Sequence, residues 1–248
     1  MKMDEKFMIP QTHIYKSYKC DQQYNGAAIL LQPETAPLRC TVVVTTQFSE
    51  YTIFLKILRK HDLLDESYSM IEMHHAKRRM TYVQPLNLLV VQIENIERLW
   101  YLNIMPEKIL LTGTARCFNV KQAPCDTIVT ADAVWDKKQN IFYECPYIAK
   151  MPITQISAAQ IRTGGYFSET DVQEVLRMQK ESSNKQHLLA FDEDSVTFAQ
   201  ICSTFDWQWS IIKAVTNDLS IPNPRMRDHA AGLVSEYVIE VLKSHPLS

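Results

Sequence analysis

Glycine is scarce in this 248-residue chain, with 5 residues, about 2% where average usage is about 7%. That disfavours folds that depend on many glycine-rich phosphate loops. Long apolar runs are missing as well. No stretch approaches the roughly 18 residues that a membrane-spanning helix needs. The opening Met1-Lys2-Met3-Asp4-Glu5 carries acids where a secretory signal would carry an apolar stretch, so a cytoplasmic protein is expected. No excess of one charge exists: 26 Lys and Arg stand against 28 Asp and Glu, a formal charge of -2. This balance speaks against nucleic acid or an anionic membrane as the partner. The 6 cysteines, Cys20, Cys40, Cys117, Cys125, Cys145 and Cys202, form no CxxC pair and no dense framework. They read as buried or incidental thiols. His74 and His75 are adjacent, so they do not share one face of a helix or strand, and neither a metal site nor a cofactor is read from them.

What the chain does have is enough apolar residues, 46%, for a sizeable core in one large domain or two small ones. Residues 1-38 are polar with scattered aromatics and prolines, and read as an N-terminal extension whose role the residues do not reveal. From residue 39 to 248 the pattern is that of a folded domain. The β-branched run from Cys40 to Thr46 predicts a strand buried on both faces. Tyr51, Phe54, Leu55 and Leu58 repeat at helical spacing after it, with Ser49 placed to cap the helix. Further strands are expected at Leu86 to Ile93, Ile109 to Thr112 stopping at Gly113, Asp126 to Val134, Ile141 to Ile148, and Trp209 to Val215. Helices are expected near Glu169 to Lys180, after Asp192-Glu193-Asp194-Ser195, and from Arg227 to Leu242, the last burying Leu233, Val234, Tyr237, Val238 and Val241. Strands alternating with helices indicate an α/β fold of three layers, a mixed central sheet flanked by helices.

In open α/β sheets the loops diverge beyond the carboxyl ends of strands, and ligands bind there. Four strand ends carry polar residues that could converge: Thr45-Thr46 with Glu50, Thr112-Gly113-Thr114, the acidic triplet Asp192 to Asp194, and Thr216-Asn217-Asp218. Each alone is also a reasonable helix cap or solvated loop.

The run from Ala190 to Asn217 resembles the ribose-binding helix and following strand of the nucleoside phosphorylase and nucleosidase superfamily. The likeness is to the methylthioadenosine/S-adenosylhomocysteine nucleosidases and futalosine hydrolases. Leu110-Leu-Thr-Gly-Thr-Ala-Arg116 resembles that family's Asn-Thr-Gly-Ser-Ala-Gly turn, and Asp126-Thr-Ile-Val129 its Gly-Asp-Ile-Val strand. Val42-Val-Val-Thr-Thr-Gln-Phe-Ser-Glu50 resembles the first strand and the Glu-rich turn after it. Ile161-Arg-Thr-Gly-Gly-Tyr-Phe167 resembles the Ser-Gly-Asp-x-Phe loop. The pieces occur in family order over residues 39 to 242, and imply a phosphorylase/hydrolase-like fold.

The resemblance implies cleavage of the N-glycosidic bond of a purine nucleoside by water, or by phosphate in the phosphorylases. Such a reaction needs a nucleophile beneath the anomeric carbon, support for an oxocarbenium-like sugar, and neutralisation of the departing base. Glu50 matches the water-activating Glu, although a Glu in a first helical turn also serves the helix dipole. Phe167 matches the aromatic that stacks on the base. Asp194 matches the Glu that grips the ribose hydroxyls, one methylene shorter, and Glu193 stands where the family has Met, so either acid is a candidate ribose ligand. Thr114 replaces a Ser and keeps the hydroxyl. Asn217 stands where adenine-specific nucleosidases carry Asp; it donates a hydrogen bond but supplies no proton, which favours a 6-oxopurine-like base. Arg116 and Cys117 replace glycines, and Arg116 either crowds the pocket or binds a phosphate or carboxylate.

Hydrolysis is favoured over phosphorolysis because Glu50 is retained and the glycine-rich phosphate turn is not. The alternatives are a member that binds a nucleoside or a protein without chemistry, and a phosphate-dependent phosphorylase. By resemblance the partner is a small-molecule nucleoside, and the chain assembles as a homo-oligomer, a dimer first of all.

Overall fold

The computed structural model of the chain describes residues 38-64, 71-73, 78-102, 104-117, 125-136, 139, 141-146, 157-163, 188-192, 194-217 and 224-244. Strand β1 (Leu38–Thr45) runs into helix α1 (Phe48–Lys60), followed by β2 (Ile71–Met73), β3 (Arg78–Val83), β4 (Leu88–Ile93) and β5 (Ile104–Cys117). After these come β6 (Ile128–Asp136), β7 (Ile141–Glu144), β8 (Ser157–Thr163), β9 (Leu188–Asp192), helix α2 (Ser195–Thr204), β10 (Trp209–Asn217) and helix α3 (Pro224–Ser244). The expected helix at Glu169 to Lys180 lies outside the described residues.

The strands form one mixed sheet ordered β10-β6-β8-β9-β5-β1-β4-β3-β2, with β7 on β6. Parallel β4, β1, β5 and β10 make its centre. Beyond the reach of β1, the last two residues of β5 pair with β9, while β10 pairs with both β5 and β6. The strands β5, β10, β6, β8 and β9 therefore close a ring beside the open part of the sheet.

Helices cover both faces, which is why the central strands are apolar without alternation. Val42, Val44 and Leu111 pack toward α2 with Phe198, Ala199 and Cys202. Val43, Leu110 and Ile212 pack toward α1 and α3 with Phe54, Leu58, Val234 and Val238. Each such side chain contributes about 1.5–3 kcal/mol by leaving water.

Three readings need correction. Ser49 lies inside the first turn of α1, whose N-cap is Gln47 without a side-chain hydrogen bond. The strand expected to stop at Gly113 runs on to Cys117, because β10 continues to pair with it through Lys213↔Gly113, Ala214↔Thr114 and Val215↔Ala115. Leu233 and Tyr237 of α3 are half-buried, whereas Val234, Val238 and Val241 are buried as expected. The β2–β3 hairpin and strands β8 and β9 had no clear signal. Their runs are short or interrupted by charge, and the pairing that orders them is nonlocal.

Candidate active site

The carboxyl ends of β1, β5 and β10 point the same way, and the turn from β1 to α1 carries Glu50 onto them. Gln92 Nε2 donates to Thr46 O at 3.2 Å and holds that turn to β4. In the next residue of α1, the Tyr51 hydroxyl shares a 2.7 Å hydrogen bond with Thr81 Oγ1 of β3. The helix start is thus fixed from two strands.

Glu50 is 3% exposed. Its Oε1 accepts from Thr114 N at 3.0 Å and from Thr114 Oγ1 at 3.1 Å. The carboxylate occupies the place where a side chain at position 113 would stand: a Cβ on Gly113 would lie 2.6 Å from Oε2 and 2.7 Å from Oε1. Gly113 also has φ +133, a region that favours glycine. This one glycine is therefore required twice, by its backbone and by the group above it. Oε2 is buried with no hydrogen-bond partner among the described residues. Burial pushes the Glu50 carboxyl above its usual range, against the opposing pull of Lys213 and the Thr114 donors.

Lys213 is 1% exposed. Its Nζ lies 3.3 Å from Asp192 Oδ2 and donates to Thr112 O at 3.5 Å. Burial works against its charge, but Asp192, Glu50 and Asp194 outweigh burial and raise its pKa, so it is a buried ammonium. Asp192 is fully engaged. Its Oδ1 accepts from Asp194 N at 2.9 Å and Ser195 N at 2.7 Å, and its Oδ2 from Ser195 Oγ at 2.6 Å. It caps α2 from two residues before the N-cap position, while Asp194, half-buried at the helix start, adds its charge to those acting on Lys213.

Asn217 ends β10 as the register partner of Arg116, which is exposed and also pairs with Phe191 of β9. A bulge at Thr216 re-aims this strand end. Thr216 Oγ1 donates to Ala115 O at 3.2 Å, and Cys125 Sγ donates to Thr216 O at 3.0 Å. Asp126, with φ 72, stands where the resemblance has glycine, a conformation that Asp tolerates better than most residues.

The structure thus brings Glu50, Thr114, Asp194, Arg116 and Asn217 to the carboxyl end of neighbouring strands. Phe167 and Glu193 lie outside the described residues. Lys213 was missed by the sequence reading, although its signal was present: a lone lysine in the middle of the apolar run Trp209 to Val215. Among the described residues no group of three or more His, Cys, Asp or Glu side chains is arranged to hold a metal. No helix among them is long and apolar enough to cross a membrane.

The sequence matches no family model and none of the curated proteins. The three-dimensional comparison is decisive where the sequence is not. A methylthioadenosine/S-adenosylhomocysteine nucleosidase from Neisseria meningitidis, solved with methylthio-immucillin-A, superposes with a TM-score of 0.61 at 15% identity, over 84% of this chain and 99% of that one. This chain has the nucleosidase fold. Futalosine hydrolase of Helicobacter pylori superposes with a TM-score of 0.58 at 11% identity, over 84% of this chain and 98% of the other. An aspartate-to-asparagine mutant of the Helicobacter pylori methylthioadenosine nucleosidase, solved with 5'-methylthioadenosine in its active site, gives 0.57 at 11% identity, over 83% and 98% of the two chains.

Proposed function

We propose that this protein hydrolyses the N-glycosidic bond of a purine nucleoside, with Glu50 as the base that activates water. The observation that carries this reading is the seating of Glu50. A buried carboxylate is held by Thr114 over a glycine at the carboxyl end of parallel strands, with one oxygen left for a water or a sugar hydroxyl. The fold, shared with nucleosidases, supports the reaction class.

In this reading Thr114 orients Glu50, and Asp194 accepts hydrogen bonds from the ribose hydroxyls. Phe167 stacks on the base, and Asn217 donates to its ring. An amide hydrogen bond stabilises a 6-oxopurine-like leaving group without transferring a proton. Asp192 is not the ribose ligand, since its oxygens already serve α2 and Lys213. Water is the nucleophile rather than phosphate: Asp192 and Asp194 already outnumber the Lys213 ammonium on which they act, and a further anion is unfavourable beside them.

The test is release of free base from a panel of inosine-like, adenosine-like and futalosine-like nucleosides, with and without phosphate. Turnover independent of phosphate, and lowered about 100-fold or more in Glu50→Gln, is expected. An absolute phosphate requirement would make the protein a phosphorylase. Nucleoside binding without turnover would support a binding protein built on the fold.

A further inference from the structure

Three carboxylates and one ammonium meet beneath the proposed sugar site, and the ammonium is unevenly shared. Lys213 Nζ lies 3.3 Å from Asp192 Oδ2, and its next contact is the Thr112 carbonyl at 3.5 Å. Glu50 accepts two hydrogen bonds from Thr114, both on Oε1, and the backbone N–H of Gln47 just before α1 also favours its charge, while Oε2 is buried with no partner of hydrogen-bonding geometry among the described residues. An ionised carboxylate with one unsolvated, unpaired oxygen is costly, and placing a proton on that oxygen removes the charge.

The groups facing Glu50 can be named element by element. Lys213 of β10 acts on it directly, and the Gln47 backbone N–H approaches it from the turn before α1; Asp192, from the end of β9, and Asp194, from the start of α2, act on Lys213. β5 supplies only Gly113 and the Thr114 donors. On the same turn of α1, Phe48 is covered by the Arg79 guanidinium of β3, 3.8 Å from the ring centroid.

We infer that Lys213 is a positioning residue that assigns the proton of this site: with its ammonium committed to Asp192, the empty site holds Glu50 as the neutral acid, protonated on Oε2. Burial of Glu50 acts in the same direction. The inference extends the proposed function, because Glu50 must first give its Oε2 proton to solvent before it can accept one from the attacking water. The acidic limb of the pH–rate profile then lies above the usual carboxylate range, and Asp192, which need touch no substrate, sets its position by holding Lys213.

Infrared difference spectroscopy of the full-length protein reads the protonation directly, and needs no substrate. At neutral pH the wild type should show a protonated-carboxyl C=O band that is missing in Glu50→Gln. Asp192→Asn removes one negative charge and frees the ammonium for Glu50, so the band should shrink. If turnover is found, the acidic limb of kcat/KM should move to lower pH in the same variant. A merely structural Asp192 would change stability and leave band and limb where they were.

Should Asp192→Asn fail to fold, Lys213→Arg serves in its place, because a guanidinium has donors enough for both carboxylates; again the band should shrink. A wild type without a Glu50-dependent band, or a band unchanged in the folded variant, overturns the inference. If no nucleoside is turned over, the proposed function falls, while the infrared comparison still decides the state of Glu50.

Discussion

At the scale of single residues, the site depends on groups that are buried and charged, and their variants should separate into distinct effects. Asp192→Ala uncaps α2 and strips Lys213 of its nearest carboxylate, a loss of up to about 3–5 kcal/mol of the kind found when one partner of a buried pair is removed, reduced to the extent that Glu50 takes up the ammonium. Urea denaturation measures it, and a cost under about 1 kcal/mol would show that Lys213 finds another partner. Glu50 makes stability depend on pH with a definite sign. Its folded pKa lies above the ordinary 4.5 because burial disfavours the charge. The folded state therefore binds more protons than the unfolded one between the two values, and stability falls as pH rises from 4.5 through the folded pKa. Glu50→Gln should abolish that slope, so wild type loses stability relative to this variant as pH rises. Parallel stability curves for the two proteins would contradict the burial argument.

At the scale of elements, much of the α/β pattern was legible, and the limits follow from physics. β1, α1 and α3 have strong periodicity because each buries one complete face or lies between two layers, so their residues carry the pattern unaided. Ser49 shows the boundary error that caps invite, since the turn is held by Gln92 and Tyr51 through tertiary hydrogen bonds that no local rule contains. Glycine usually punctuates a strand, so Gly113 reads as a stop; the pairing with β10 and the carboxylate above it explain why the strand passes through. Of the candidate site, Glu50 and Thr114 could be placed from the resemblance. The pairing of Lys213 with Asp192 could not, because it joins β9 to β10 in space.

The packing of α1 on α3 makes a second prediction at this scale. Glu236 of α3 receives Lys60 Nζ on Oε1 at 2.5 Å, and His61 Nε2 lies 2.5 Å from Oε2; Lys243 Nζ lies 2.8 Å from His61 Nδ1. Desolvation opposes the Glu236 charge, but the hydrogen bonds from His61 and Lys60 prevail and hold its pKa below the ordinary carboxylate value. The stabilisation is present above the unfolded pKa and is lost as pH falls through the folded one. The groups are partly exposed, so Glu236→Gln should cost no more than about 1 kcal/mol, and less at high salt. Replacing Leu58, at the core of the same interface, by Ala should cost about 2–5 kcal/mol. Denaturation midpoints at two salt concentrations distinguish the charged contribution from the apolar one.

At the scale of the whole molecule, the nucleosidase fold and the closed ring of strands hold the ends of β5 and β10 in one register. A nucleoside that binds this end should raise the melting temperature by mass action, and the rise should vanish in Asp194→Ala if that residue grips the ribose. The resemblance implies assembly as a dimer, and light scattering on the purified chain, expected to give twice the chain mass, checks it.

The glycine beneath Glu50 also makes two distant positions inherit each other's changes. Ala at position 113 alone should drive the carboxylate from its seat, and Asp at position 50 alone should fall short of Thr114. Together, the shorter acid vacates the space that the new methyl group takes. The double variant Gly113→Ala with Glu50→Asp should then be more stable than the two separate losses add up to, by about 0.5–3 kcal/mol in a thermodynamic cycle. Residues 63 positions apart in the chain thus form a single unit of inheritance, in which a change at one alters which changes the other can accept.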